Sequence, residues 1–435
     1  MKAFSTYTDE LERLVDRYIA SPNSSKILPK VEMALDNEAS AMARELISID
    51  DLRAEGIFFT HRELANIALE SINDTISKDS IVLDPACGAG DLLLTFLEKY
   101  FIKFGKNANL ETLDSQILGR DLYSPFIRAA RARLFLASSF LSNRTNEYDR
   151  NSKWRNLFIN LKARSGLVDL SAIHSATHIL MNPPFSHVIA PKECNWTSGK
   201  VNLASLFVQT CVENATPGTS ITAILPDVLR SGSRYKKWRA LIQDHCEINR
   251  IELYGRFDKA TDIDVFVAEF KVTEHPKYKT MPTAWSTNTQ SEYSGNTLGA
   301  YFDLSIGPVV DYRTPKRGSW TPYLLTQNTP SWTVITDIDK KRRFVGRKIM
   351  PPFVVIRRNS RLGDKYRAVA SIISGNRPVA VENHLIVLEP KRRTLKQCKA
   401  LMNALKTNEA NSWFNERIRC RHLTISALTD FPWRE

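Results

Sequence analysis

The chain has 435 residues, of which 43% are hydrophobic, and a formal net charge of +13 at pH 7. This length and composition predict a globular protein with two domains and exclude a disordered or fibrous chain. No apolar run reaches the roughly 18 residues of a membrane span, and the N-terminus lacks the pattern of a signal peptide, so we expect no membrane association and a cytoplasmic location. The six cysteines have no C-x-x-C spacing, which argues against a disulfide framework and against a metal site of the zinc type.

The positive charge is concentrated in the C-terminal part of the chain. Residues 340–435 contain 22 Lys and Arg but only 7 Asp and Glu. A basic surface confined to one module is typical of proteins that bind nucleic acids, and improved solubility is the alternative explanation. We therefore expect a nucleic acid to be the partner of this part of the chain.

The first 54 residues show apolar side chains at helical spacing and are predicted to form a helical extension. In the next segment, residues 56–65, Thr60 and Glu63 have the spacing of a capping box that opens a helix. The N–H groups of such a first turn can bind a carboxylate, but a cap without a ligand is the commoner role.

Residues 81–94 have the pattern of the first strand, turn and helix of an α/β unit. The strand ends at Asp84, and the turn contains Ala86, Gly88 and Gly90. The glycines are expected to let the backbone approach a ligand closely. The turn is neither G-x-G-x-x-G nor a P-loop, which indicates a nucleotide-like ligand without a pyrophosphate. Asp84 is predicted to hold a cationic amino group of that ligand, with a capping role as the alternative.

A second strand is predicted at residues 116–123, and it ends in an acid, Asp121. Nucleotide-binding α/β folds place an acid here to accept hydrogen bonds from ribose hydroxyls, although Asp121 is also a candidate N-cap of the following helix. Leu122 is expected to cover one face of an adenine. The third strand is predicted at residues 157–159, where no acid follows directly and Asp169 is the nearest candidate for contact with the ligand's base.

The fourth predicted strand, residues 177–181, ends in Asn182-Pro183-Pro184-Phe185. Because prolines lack an N–H group, the backbone here cannot continue a regular ladder, and the Asn182 side chain and the Pro183 carbonyl are expected to form a fixed pair of acceptors. An amino group fits between them, and Phe185 is placed to stack on the planar group that carries it. A simple strand-terminating loop is the alternative.

The remainder of the chain completes the sheet and begins a second domain. The loop that carries Trp196 and Lys200 lies beside the predicted site and is expected to form a lid or a substrate contact, with both residues as predicted DNA contacts. Residues 275–331 are rich in Thr, Ser, Asn, Gly and Pro and are predicted to be a linker and the entry to the second domain. The predicted domains are residues 1–54, 55–275 and 276–435. In the last of these, contacts with phosphates and base edges are predicted for Arg357, Arg358, Ser360, Arg361 and Asn383.

The glycine turn and the N-P-P-F motif together resemble those of S-adenosylmethionine-dependent adenine-N6 DNA methyltransferases. The resemblance extends over about residues 56–270 in motif order. It implies a Rossmann-like methyltransferase sheet with helices on both faces, followed by a smaller α+β domain that recognises DNA. S-adenosylmethionine is the cofactor that this resemblance implies.

The resemblance also implies a role for each motif. Phe59 and Thr60 are expected to contact the methionine part of the cofactor, and Asp121 its ribose. The amino acid end of the cofactor is assigned to Asp84, Ala86, Gly88 and Gly90, with Leu122 and Asn182 also in the cofactor site. Asn182 and the Pro183 carbonyl are expected to accept hydrogen bonds from the N6 amino group, while Pro184 completes the motif and Phe185 stacks on an adenine flipped out of the duplex.

The expected partner is double-stranded DNA, with a separate restriction enzyme as a further candidate and a monomer or dimer as the oligomeric state. Two features depart from the family pattern: the acid after the third strand is missing or shifted, and Thr177-His178 stands where the family often has Phe-Asp. Cytosine N4 in DNA, guanine N2 in ribosomal RNA and a glutamine side chain in a release factor are alternative targets, and a non-catalytic DNA-binding module is the alternative of a different class.

Overall fold

The computed structural model describes residues 2–48, 51–52, 59–105, 110–142, 153–192, 194–257, 263–274, 285, 296–418 and 422–433. The chain divides into two compact units: the first comprises Met1–Leu229 and Tyr235–Ala284, and the second comprises Arg230–Arg234 and Trp285–Glu435. The helices of the N-terminal segment belong to the first unit, together with the large sheet. Within the described ranges, no helix is long and apolar enough to cross a membrane.

The first unit is built on a seven-stranded sheet with the strand order β3-β2-β1-β4-β7-β9-β8. Strands β1 to β4 and β7 are parallel, whereas β9 is antiparallel to both β7 and β8. A small hairpin, β5–β6, lies outside this sheet. The strands are β1 Val82–Asp84, β2 Ile117–Asp121, β3 Leu161–Ala163, β4 His178–Met181, β5 His187–Ile189, β6 Lys200–Asn202, β7 Ser220–Pro226, β8 Cys246–Arg256 and β9 Asp264–Val272.

The helices of the first unit connect these strands and precede them. They are Lys2–Ala20, Leu28–Leu35, Glu38–Leu46, Arg62–Ala68, Ile72–Thr75, Asp91–Phe104, Leu110–Gln116, Ser124–Ser142, Leu170–Ser175, Leu203–Asn214 and Lys236–His245, with Asp227–Ser231 crossing into the second unit. The predicted Rossmann-like fold class is confirmed. The strand order reverses between β1 and β4, so the carboxyl ends of these strands open a crevice at the edge of the sheet where such folds bind ligands.

The third strand lies later in the chain than the sequence pattern indicates. Residues 157–159 are not a strand; β3 is Leu161–Ala163 and pairs with β2. Phe158 is fully buried and has a φ of 53°, a left-handed conformation that turns the chain before β3 begins. Within this turn Phe158 fills the core while Ile159 is 53% exposed, and an apolar composition alone does not distinguish such a turn from a strand.

The predicted capping box at Thr60 is wrong. The helix begins at Arg62 and its N-cap residue is His61, whose side chain makes no capping hydrogen bond. The N–H of Arg62 instead donates to Oδ1 of Asn37, at 3.1 Å, so a residue of the N-terminal segment satisfies this helix end. The part of the motif before Phe59 lies outside the described residues.

The second unit contains a five-stranded sheet, in the order β10-β17-β14-β15-β12, and a three-stranded sheet, in the order β13-β11-β16. Along β14, Val354 and Ile356 face a core shared with the C-terminal helices, while Phe353 and Val355 face a second core. The strands are β10 Phe302–Ile306, β11 Trp320–Leu324, β12 Val334–Ile335, β13 Lys341–Arg343, β14 Phe353–Arg357, β15 Ala370–Ile373, β16 Ala380–Val381 and β17 Leu385–Pro390; the helices are Leu298–Tyr301, Leu395–Leu405, Asn408–Arg417 and Ile425–Thr429.

This arrangement confirms the predicted α+β class of the C-terminal part but corrects the predicted linker. Within residues 275–331, β10 pairs with β17 along its whole length and β11 joins the three-stranded sheet. The Thr, Ser and Gly content of this stretch therefore marks turns between short strands. Residues 275–284 and 286–295 lie outside the described residues.

Candidate functional site

A cavity of about 330 Å³ opens at the carboxyl ends of β1, β2 and β4. Most of the residues that the sequence predicted as a site line it: Phe59, Thr60, Asp84, Ala86, Gly88, Asp121, Leu122, Asn182 and Pro184. Three predicted residues, Gly90, Pro183 and Phe185, do not. The cavity also has walls that the sequence did not predict, among them Asp91, Tyr123, Phe126, residues 164–167, His187, Val188, Leu203 and Phe207.

Asp84 is buried at the end of β1 and faces this cavity. Its Oδ1 accepts a hydrogen bond from the Ala86 N–H at 3.0 Å, which shapes the turn. Burial raises the pKa of the Asp84 carboxyl well above its usual value, and the nearby carboxylates of Asp121 and Asp91 raise it further. A cluster of acids in a low-dielectric cavity favours a cationic ligand group, because that group would compensate the charges.

Asp121 joins the turn after β1 to the end of β2. Its two oxygens accept hydrogen bonds from the N–H groups of Gly88, at 3.1 Å, and Tyr123, at 2.9 Å. Burial raises the pKa of the Asp121 carboxyl to about 6, while these backbone hydrogen bonds act in the opposite direction. Leu122 beside it is 67% exposed and forms an apolar wall of the cavity.

The pKa of Asp121 predicts how binding of a ribose-bearing ligand depends on pH. Ionised Asp121 is the stronger acceptor for hydroxyl groups, and with a pKa of about 6 roughly one tenth of it is ionised at about pH 5. Affinity should therefore rise with pH, and be about tenfold higher at about pH 7.5 than at about pH 5. Calorimetric titration of the wild type and Asp121→Asn checks this. An unchanged pH dependence in the variant would assign the titration to another group.

Two glycines of the β1 turn have different roles. Gly88, with a φ of 52°, lines the cavity, and a Cβ there would lie 3.8 Å from the nearest atom, in the Phe59 ring. Gly90 has a φ of 88°, but a Cβ there would lie 3.1 Å from the Cβ of Ala130. Gly90 thus allows the Ser124–Ser142 helix to pack closely and, unlike Gly88, does not line the cavity.

The segment after β3 contributes its backbone to the cavity wall, at the place where an acid was predicted. Asp169 does not line the cavity; its carboxylate accepts from Nε of the buried Arg120, and its pKa is lowered by hydrogen bonds to Arg120 and Ser171 that outweigh desolvation. Gly166 does line the cavity, and a Cβ there would lie 2.1 Å from the Pro85 carbonyl oxygen. Its position just after a short strand is the signal that could have indicated this close approach.

The N-P-P-F segment contributes to the cavity through Asn182 and Pro184. Nδ2 of Asn182 donates to Oγ1 of Thr60 at 2.9 Å, which fixes the orientation of the carboxamide. The Phe185 ring is 4% exposed and packs edge-on against Phe257, with ring centroids 6.0 Å apart. It therefore lies behind the cavity wall. Phe257 borders a second, open cavity of about 500 Å³, together with Asn37, Arg44, His61, Glu63, Tyr254 and Arg256.

The predicted DNA contacts of the first unit differ in exposure. Trp196 is 5% exposed, and its Nε1 donates to Oε1 of Gln209 at 2.8 Å, so its ring holds the loop onto the Leu203–Asn214 helix. The prediction that Trp196 contacts DNA is therefore wrong, because a polar loop sequence does not by itself show that a large aromatic side chain is exposed. Lys200 is exposed at the start of β6.

The predicted DNA contacts of the second unit also differ in their exposure to solvent. Arg357 is half-buried and donates to the Thr329 carbonyl at 2.9 Å, and Ser360 is 5% exposed, so neither presents its side chain as a surface contact, which corrects the prediction. Arg358 and Asn383 are half-buried, and Arg361 is exposed. An Arg and Ser pattern at a strand end does not by itself distinguish inward from outward side chains.

Arg133 is a site-supporting residue that the sequence did not indicate. It lies in the Ser124–Ser142 helix, is 1% exposed, and donates to the Ala34 and Asp36 carbonyls of the N-terminal segment. It also donates to the Ala89 carbonyl and to Oδ1 of Asp91, at 2.7 and 2.8 Å. One guanidinium therefore joins the N-terminal helices to the cavity turn.

Replacing Arg133 should destabilise the protein strongly. Arg133→Met leaves several buried acceptors unpaired and should lower the free energy of unfolding by about 3 kcal/mol. Arg128, on the same helix, pairs with Asp9 and Glu12 at the surface and is the matched control. Arg128→Met should cost less than about 1 kcal/mol. Denaturant unfolding measures both, and equal losses would contradict the role of burial at Arg133.

A family model described as N-6 DNA methylase matches residues 49–277 of the chain. The chain belongs to the N-6 DNA methylase family. The match confirms the predicted family, a DNA methyltransferase domain and S-adenosylmethionine as its methyl donor. Its range contains every residue that lines the cavity at the ends of β1, β2 and β4. No curated protein sequence matches the chain.

The solved structures that the chain matches include restriction-modification enzymes. The type IIL enzyme MmeI in complex with DNA has a TM-score of 0.54 and 11% identity, and the match covers 91% of this chain and 70% of that one. The type IIG restriction endonuclease BpuSI has 14% identity and a TM-score of 0.48, with 94% and 62% covered. A modification subunit of a putative type I enzyme from Vibrio vulnificus YJ016 has 18% identity and a TM-score of 0.42, with 58% and 50% covered. This chain thus spans about 62% of the length of BpuSI and 50% of that of the modification subunit. The likeness to MmeI is one of fold.

Proposed function

We propose that this protein transfers a methyl group from S-adenosylmethionine to the N6 amino group of an adenine in a specific sequence of double-stranded DNA, as in restriction-modification. The observation that carries the proposal is that Asp84, Asp121 and Asn182, each at the carboxyl end of a different strand, line one cavity. The donor set fits the cofactor: the acids suit its amino group and ribose hydroxyls, and exposed Leu122 suits its adenine. When bound, S-adenosylmethionine supplies an electrophilic methyl group.

The residues after β4 hold the amino group that receives the methyl group. Nδ2 of Asn182 donates to Thr60, and we assign the carboxamide oxygen, which can only accept, as the acceptor for the target amino group. The Pro183 carbonyl is the second acceptor that we propose, although Pro183 is buried and does not line the cavity. Two such acceptors would favour the pyramidal form of a conjugated amino nitrogen and so localise its lone pair. Fixed acceptors and proximity are both effective means of lowering such a barrier.

The target base has to leave the duplex, at a cost of a few kcal/mol that contacts in the protein offset. Phe185 is the proposed stacking partner. Its ring packs edge-on against Phe257 at the border of the open cavity, so stacking requires a change at this ring pair. We assign catalysis to residues 55–275 and DNA recognition to residues 276–435, with the cytoplasm as the location and a separately acting restriction enzyme as a candidate partner.

The substrate class can be tested with labelled S-adenosylmethionine and separate DNA, RNA and protein substrates. Label should enter duplex DNA alone. Label in RNA or protein only, or cofactor binding without transfer to any substrate, would overturn the proposal, and the second of these results would favour a non-catalytic DNA-binding module.

A further inference from the structure

The strand pair β11–β13 gives the second unit an outward face that combines basic and aromatic side chains. Trp320 pairs with Arg343 and Pro322 with Lys341, so these four residues share one face of the pair. Trp320, Lys341 and Arg343 are exposed, whereas Thr321 and Arg342, which point to the other face, are 2% and 4% exposed. We call the first four residues the β11–β13 face.

The surroundings of this face are strongly basic. Residues 311–320 and 337–348 together contain nine Lys and Arg against three Asp, at positions 311, 337 and 339. Asp311 is paired with Arg342, which also donates to the Thr314 carbonyl. The inward arginine therefore neutralises this acid and anchors the loop that carries Tyr312. Arg347 pairs with Glu389, and Asp337 and Asp339 begin the second segment, so these acids reduce the local positive charge without cancelling it.

Two exposed aromatic rings lie in the same two segments. Tyr312 is 87% exposed and Trp320 is 69% exposed, and among the described residues no other aromatic side chain is classed as exposed. Lysines on an edge strand can have no role beyond preventing aggregation. That role does not explain why an exposed tryptophan lies beside them. Aromatic rings among Lys and Arg are the combination that contacts nucleic acid bases and phosphates together.

The shape of the face fits duplex DNA. Strand β13 pairs with residues 320–322 of β11, whereas β16 pairs only with Tyr323 and Leu324, so the outer part of the sheet is a two-stranded ribbon. The major groove of B-DNA admits such a ribbon. Arg343 donates from Nε to the Gly318 carbonyl at 2.9 Å, which positions its guanidinium at the surface.

We propose that the β11–β13 face is the DNA-contacting surface of the second unit: Lys341 and Arg343 contact phosphates or base edges of duplex DNA, and Trp320 makes an apolar contact with a base. This proposal deepens the proposed function, because it names the surface that holds the substrate. Arg357 is half-buried and Ser360 is buried, so this face takes the place of those two residues as the predicted DNA contact of the second unit.

The test is fluorescence anisotropy of the full chain with a labelled duplex of mixed sequence at several salt concentrations. Lys341→Gln/Arg343→Gln should weaken binding and reduce the slope of log K against log salt by about 2, since two phosphate contacts are lost. The control Lys396→Gln/Lys399→Gln removes the same charge from exposed positions on the Leu395–Leu405 helix and should leave the slope unchanged. An equal change in both variants would mean that only net charge matters and would overturn the proposal.

Trp320 provides a second, independent readout. Trp320→Ala should weaken binding about tenfold with an unchanged salt slope, and Trp320→Phe should restore part of the loss, because stacking or apolar contact does not depend on counterion release. Wild-type affinity for Trp320→Ala in a folded protein would overturn its role, as would competition by RNA equal to that by duplex DNA. If the wild type binds duplex DNA through this face but transfers no methyl group to it, the proposed function fails and this inference stands. If the face variants bind and methylate DNA as the wild type does, this inference fails and the proposed function stands.

Discussion

Asn182→Ala should lower the rate of methyl transfer at least about 100-fold while leaving the affinity for S-adenosylmethionine within about threefold of the wild type, because loss of one positioned acceptor has an effect of this size on the chemical step. The side chain lines the cavity and is oriented by Thr60. Single-turnover transfer to DNA and calorimetric titration of the cofactor measure the two effects separately.

A matched control is Asn214→Ala, near the end of the Leu203–Asn214 helix, where Nδ2 donates only to the Thr210 carbonyl. It should transfer methyl groups at the wild-type rate. Thr60→Val should give an intermediate loss, because the carboxamide stays in place but loses the partner that fixes its orientation. Turnover by Asn182→Ala at the wild-type rate would remove this residue from the mechanism.

Gly166→Ala should weaken cofactor binding more than tenfold and lower the free energy of unfolding by about 1–3 kcal/mol, the usual cost of forcing extra volume into a packed region. The added Cβ would lie 2.1 Å from the Pro85 carbonyl oxygen, so the end of β3 and the turn after β1 have to separate. Both segments line the cavity. Thermal unfolding and calorimetric titration of the cofactor measure the two effects.

Gly363→Ala is the control for this substitution. A Cβ at Gly363 has no atom within 4 Å, and its backbone is not in the left-handed region. This variant should have the stability and cofactor affinity of the wild type. If Gly166→Ala behaves in the same way, the close approach between Gly166 and Pro85 has no part in forming the site.

The residues that the sequence predicted correctly as cavity lining share a simple local signal. Asp84, Asp121 and Asn182 each follow an apolar run that becomes a parallel strand. Because the carboxyl ends of such strands meet at one edge of the sheet, chain order alone brings the three together. The N-P-P-F motif is recognisable for the same local reason, since two prolines end the strand wherever it pairs.

The errors come from interactions between residues distant in sequence. Asp169 is an acid near a strand end, as a ligand contact would be, but it pairs with Arg120, 49 residues away in the sequence. Gly90 is required because Ala130 of the Ser124–Ser142 helix packs against it. Phe158 is apolar because it is buried beneath a turn. In the second unit, the side of the sheet on which an arginine lies depends on strand register, which decides that Arg342 is inward and its neighbours outward. None of these can be derived from local pattern.

The most direct test of the account is nucleoside mass spectrometry of duplex DNA after incubation with isotopically labelled S-adenosylmethionine and either the wild type or Asn182→Ala. The account predicts labelled N6-methyladenine from the wild type and a strong loss of that product from the variant. Labelled N4-methylcytosine in its place would contradict adenine as the target, and equal labelling of DNA by both proteins would contradict the role of the N-P-P-F segment as the site that holds the amino group.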